Sequence, residues 1–239
     1  MQRVVFITLV MLLLAASAAA SSACADGAGL DAYITSYAGF ANACQIGDKL
    51  FYNFGFTAST NPPGDEPFSS DISVVPDPGD GVTNPGIIFS GGGFLVFPGS
   101  ILDATITYSV ATLFGQASIK GYSLTIAGSH TRAPLNLGSG SVTESLSTPV
   151  VAPLVTTVAG GGGTLSDQAA FPAMVSSTDV TTQIHLQSPA GSNDIVTISA
   201  IQERFAEEAI VPEPYQAFLL GSGLLLLGLW RRQTPRVNP

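Results

Sequence analysis

Between residues 49 and 204 apolar side chains recur at every second position in short runs, and each run is cut off by a cluster of glycine, proline, asparagine or serine. A period of two belongs to strands with one buried face, whereas a helix needs 3.6. Residues 49–56 alternate, with Tyr52, Phe54 and Phe56 on one predicted face. Residues 104–112 align Ile106, Tyr108 and Val110, and residues 118–127 direct Ile119, Leu124 and Ile126 to a core. A slip at Gly121 predicts a bulge in that strand. Further strands are predicted at 70–75, 86–96, 141–147, 150–158, 179–186 and 194–204, divided by turn clusters at 61–64, 76–81, 98–99, 138–140, 160–163 and 188–193. Roughly eight to ten strands, with no long helical pattern and no fixed repeat, predict an antiparallel β-sandwich of jelly-roll or immunoglobulin-like kind.

The two ends read differently. Arg3, an apolar run over 4–14 and then small residues have the build of a secretory signal peptide over 1–23. Ala18/Ala20, Ser21/Ala23 and Ala23/Ala25 all satisfy the small-residue rule, so cleavage falls anywhere within 20–25. At the other end Val211, Pro212, Glu213 and Pro214 precede an uncharged span, 215–230, and a tail, 231–239, that opens on Arg231 and Arg232. The prolines hold 211–214 extended and accessible to a processing enzyme. As a helix the span reaches roughly 24 Å, enough for a thinned bilayer, and the arginines place its end in the cytoplasm. The body, 24–210, is then outside.

For such a body the charge balance excludes several roles. Only 10% of the chain is charged. Between Asp26 and Val211, about 185 residues, four basic residues (Lys49, Lys120, Arg132, Arg204) face sixteen acidic ones, a balance of −12. Nucleic acid and anionic membrane surfaces need a basic face, so neither is an expected partner. The two cysteines, in an oxidising compartment, predict a Cys24–Cys44 disulfide, provided cleavage falls before Cys24. Its loop of about 20 residues is worth on the order of 3 kcal/mol.

Candidate chemistry is sparse. Gly160–Gly163 lacks the following Gly-Lys-Ser/Thr of a phosphate loop and reads as a turn. No flanking motif gives His130 or His185 a catalytic partner, and His185 reads as a strand residue facing water. Asp65, Glu66, Asp71, Asp77 and Asp80 form an acidic loop over 65–80 that matches no calcium motif and reads as solvated. Phe51, Tyr52, Phe54, Phe89, Phe94 and Phe97 suit core packing, with stacking on sugars as the alternative. No cofactor or metal motif is present, and no catalytic residue is assigned.

The C-terminus resembles the PEP-CTERM sorting domain of Gram-negative exported proteins. Val211-Pro212-Glu213-Pro214, Leu219-Leu220-Gly221-Ser222-Gly223-Leu224 and Arg231-Arg232 carry the likeness. It implies recognition by an exosortase, a membrane transpeptidase-like enzyme that cleaves near the Pro-Glu-Pro motif. Residues 43–54, Ala43-Cys44-Gln45-Ile46-Gly47-Asp48-Lys49-Leu50-Phe51-Tyr52-Asn53-Phe54, are similar to a segment of other PEP-CTERM proteins in which an upstream cysteine lies near the mature N-terminus, here Cys24. The reading that results is a non-enzymatic protein of the cell surface or matrix, exported by the Sec route and associated with exopolysaccharide or the envelope. A glycan- or calcium-binding lectin-like module is the alternative, and an extracellular hydrolase the third.

Overall fold

The computed structural model describes residues 21–79, 84–113, 118–131, 138–159 and 165–207, all within the first of the two units into which the chain divides, Met1–Glu208. The leader to residue 20, the Val211–Pro214 motif, the 215–230 span, Arg231, Arg232 and the rest of the tail lie outside the described residues. So do Gly160–Gly163, Asp80 and Arg132. Among the described residues no helix is long and apolar enough to cross a membrane.

The described residues form a two-sheet sandwich. Numbered in chain order, sheet A runs β1 (Ser22–Ala23), β3 (Cys44–Ile46), β4 (Lys49–Asn61), β8 (Ile101–Thr112), β13 (Ser177–Gln187), β10 (Ser139–Leu146) and β11 (Leu154–Ala159). Sheet B runs β12 (Ser166–Val175), β9 (Ile119–Thr131), β14 (Ile195–Glu207), β6 (Gly86–Ser90), β5 (Ser73–Asp77) and β2 (Ala28–Gly29), with β7 (Leu95–Val96) also paired to β14. Pairing is antiparallel except where β1 lies parallel to β3.

Alternation builds the core as expected. Along β13 every even-numbered residue from Thr178 to Leu186 is buried and the odd ones face out. Between the sheets Phe51, Phe54, Phe89, Tyr108 and Phe205 form one aromatic cluster, with Phe54 stacked on Tyr108 at 5.6 Å between ring centres. Burying each such ring contributes roughly 2–3 kcal/mol. The bulge expected near Gly121 is present: opposite β14 the ladder steps from Gly121 to Ile119 over Lys120.

Several details differ from the sequence reading. Tyr52 does not share a face with Phe54. Asn53 adopts φ 56° and the β4–β8 register shifts between Tyr52 and Gly55, so Phe51 replaces Tyr52 in the core. A bulge residue inverts the parity of everything after it. Tyr52 instead meets Phe40 edge-on at 5.3 Å outside the sheet. The strand predicted at 86–96 splits in two, because Gly91 turns at φ 132° and a Cβ there would lie 2.4 Å from the Asp71 carbonyl oxygen. Strand β12 and the helix α1 (Leu30–Ser36) were not predicted. The first is a mostly exposed edge strand that carries Pro172, which an edge tolerates. The second is short, and buries only Leu30 and Tyr33, three positions apart. Tyr33 packs on Phe54 at 5.0 Å, and its hydroxyl donates to the Ala25 carbonyl at 2.6 Å.

Cys24 and Cys44 form the predicted disulfide, closing a separation of 20 residues. The bond ties the N-terminal segment to β3, beside the parallel pairing of Ser22 with Cys44 and Ala23 with Gln45.

Candidate functional site

The outer face of sheet A is the principal candidate. Strand parity sends Thr57 and Ser59 of β4, Asp103, Thr105 and Thr107 of β8, Thr181, Gln183 and His185 of β13, and Ser141, Thr143 and Ser145 of β10 to the same side. Register then stacks them in rows. One row is Ser59, Asp103, His185, Ser141 and Thr157, and the next is Thr57, Thr105, Gln183 and Thr143. With strands about 4.8 Å apart and rows about 6.8 Å apart, the face is a lattice of hydroxyl and amide groups. Threonine at these positions needs no function, since β-branched residues favour strands. The absence of lysine and arginine from these rows is what gives the face its chemical character.

His185 supplies an imidazole to these rows. Its Nδ1 lies 2.7 Å from Asp103 Oδ1, and the two side chains are 47% and 64% exposed. Water facing His185 was expected; the carboxylate beside it was not. Sequence alone places Asp103 and His185 82 positions apart, and only the β8–β13 register makes them neighbours. A depression of about 270 Å³ lies over the pair, with Thr105, Ser141, Thr143 and Gln183 on its walls. Farther along, Asp179 accepts the hydroxyl of Ser109 at 2.7 Å and that of Ser147 at 3.4 Å. At the sheet's β1 edge a larger hollow, about 570 Å³, is lined by Ser22, Ser36, Tyr37, Phe40 and Asn42, with Phe40 exposed. His130 lies on β9 opposite Val196 in register.

A second group of carboxylates sits where the sequence reading expected none, inside the sandwich. Glu144 of β10 and Glu203 of β14 are both fully buried. Thr182 donates to Glu203 Oε1 at 2.6 Å, and the Tyr108 hydroxyl donates to Oε2. Neither oxygen of Glu144 meets a donor among the described residues. Burial raises the Glu203 carboxyl to about 7, against the pull of its two hydroxyl donors. Burial, and then the neighbouring Glu203, push Glu144 well above the carboxylate range. Burial without a donor thus favours the neutral acid of Glu144 over its carboxylate. Two carboxyls with raised affinity for protons are a pattern of acid–base catalysts, yet these are sealed between sheets rather than open to a cleft. Strands β10 and β14 thus each bury an ionisable group. Lys49 is a third case, fully buried and held by Asp48 at 2.7 Å and Glu207 at 2.6 Å.

The acidic loop does not converge. Glu66 accepts from Thr60 and the Gly64 amide, Asp71 from the Phe68 amide, and Asp77 from Arg204 and Gln202. Among the described residues no three His, Cys, Asp or Glu side chains are grouped to hold a metal ion. Of the predicted aromatics, Phe51, Phe54, Phe89 and Phe94 are buried in the core, Tyr52 is half-buried, and Phe97 is exposed.

No family model matches the chain, and no curated protein matches it. Among solved structures, TmCBM61 in complex with beta-1,4-galactotriose is 10% identical over 64% of this chain and 88% of that one, with a TM-score of 0.30. The xylan-binding module CBM15 is 11% identical over 57% and 98%, with a TM-score of 0.25. Tailspike protein 4 of bacteriophage CBA120 is 10% identical over 75% of this chain and 21% of that one, also at 0.25. At these scores the likenesses carry no argument about this chain.

Proposed function

We propose that the chain is an exported surface protein, sorted through its Val211–Pro214 tail by an exosortase, whose sandwich body binds exopolysaccharide on the outer face of sheet A. The sorting half rests on the order of motif, apolar span and arginine pair behind a secretory leader. The binding half rests on one observation, the row Ser59–Asp103–His185–Ser141 with its amide and hydroxyl neighbours over a shallow depression. Sugar hydroxyls both donate and accept, and a lattice of hydroxyls, amides and one imidazole–carboxylate pair offers both roles. Wet, polar, modest-area contacts suit an extended neutral polymer.

The test is a glycan array probed with the purified protein, with and without calcium, followed by Thr105→Val/Gln183→Leu on this face. Binding of a neutral glycan that the double variant loses supports the reading. An empty array, or binding the variant retains, overturns it. A second reading, an extracellular hydrolase, draws on the same row, in which Ser141 is the cross-strand neighbour of a histidine already held by an aspartate. Turnover of an ester or glycoside that His185→Ala abolishes would establish that reading instead.

A further inference from the structure

The cations of this acidic body are few enough that their positions carry information. Of the four basic residues between Asp26 and Val211, Lys49 is sealed inside by two carboxylates and Arg132 lies outside the described residues. The remaining two, Lys120 and Arg204, meet in one depression of about 470 Å³ on the outer face of sheet B. That volume lies within the range of small-molecule sites.

The fold builds this hollow with some care. Asp77, Gly86, Arg204, Ser123 and Gln168 occupy one row across β5, β6, β14, β9 and β12. Arg204 reaches across β6 to Asp77, with Nε at 2.6 Å and Nη2 at 3.3 Å, and only glycine permits that path. A Cβ on Gly86 would lie 2.9 Å from the Arg204 side chain and 2.0 Å from the Glu203 carbonyl oxygen. The guanidinium is thus fixed in place. Lys120 sits at the bulge of β9, and bulges re-aim side chains; here the residue lines the hollow and is exposed. Gly121, Ala170 and Ala206 leave room between these groups, while Gln168, Ser123 and Asn84 add neutral donors and acceptors.

We propose that this depression binds a carboxylate-bearing sugar, a hexuronate residue of an acidic polysaccharide, with Lys120 meeting the carboxylate and Gln168, Asn84 and Ser123 meeting the ring hydroxyls. The apolar lining is Gly121, three alanines and the buried Tyr122, which offers no pocket for an apolar peptide side chain. The net charge of the body repels an approaching polyanion, but that field is screened beyond about 8 Å, and contact with Lys120 is not. The site lies on the opposite sheet from the face proposed for neutral glycan and stands or falls independently of it.

The experiment titrates the full chain with trigalacturonate, its methyl ester, neutral galactotriose and a short poly-glutamate peptide. Trigalacturonate is expected to bind at least tenfold more tightly than its ester or the peptide. Lys120→Met should weaken it about tenfold, Gln168→Ala less, and Lys120→Arg should restore it, while Asp31→Asn on the exposed side of helix α1 changes nothing. Melting curves of each variant check the fold. Equal binding of acid and ester, preference for the peptide, no binding of trigalacturonate, or a Lys120→Met protein that binds like the wild type each overturn the proposal.

Discussion

Two acidic partnerships lie on opposite sides of sheet A, and they obey different physics. Asp103 and His185 point outward, exposed, with solvent to screen them, so their contact adds little to stability. Glu144 points inward from β10 and meets Glu203 from the facing sheet, where burial makes ionisation expensive. A one-residue change of parity separates a solvent-facing surface from a proton-binding core. The outer pair is free to serve a ligand, and the inner pair ties the fold to pH.

The largest effect that would test this contrast is the pH dependence of stability. Glu203 has its folded-state value raised to about 7 from an ordinary 4.5. The native protein therefore holds more protons than the unfolded chain. Its contribution is complete below about pH 4.5 and is lost as pH rises through 7, by on the order of 3 kcal/mol. Melting temperature should fall between pH 5 and pH 8, and Glu203→Gln should flatten that fall. A profile that rises over this interval would refute the buried pair. Reducing the Cys24–Cys44 bond, or replacing both cysteines with serine, should cost about 3 kcal/mol in denaturant titrations at any pH in this interval. Tyr108→Phe removes a donor from Glu203, so a loss of about 1–3 kcal/mol is expected, with the pH transition moved upward. At the other extreme, His185→Ala and Asp103→Asn should shift stability by less than about 0.5 kcal/mol. Comparable losses from the outer and inner pairs would erase the distinction.

Parity along a strand was legible in the sequence; neighbours across strands were not. Ile106, Tyr108, Val110, Leu124 and Ile126 read as core and are core, because each follows from the period within one run. Glu144 was legible in the same way, since it shares parity with Val142 and Leu146, and Glu203 shares it with Ile201 and Phe205. The Asp103–His185 contact and the Lys120–Arg204 hollow depend on registers between distant strands, which no local pattern encodes. Tyr52 failed for a smaller reason, one residue with a positive φ at Asn53.

The short parallel strand β1 has a consequence for how the protein meets its neighbours. It lies at the margin of sheet A, covering one side of β3 with Ser22 and Ala23. If a leader is removed as the sequence predicts, its three small-residue cuts leave different margins. Cutting after Ala20 keeps the cover. Cutting after Ala23 strips it and bares the outer hydrogen-bonding groups of β3, the kind of open border along which one sheet recruits a strand from another chain. On that expectation, the position of a single cleavage decides whether this border of β3 is closed or open.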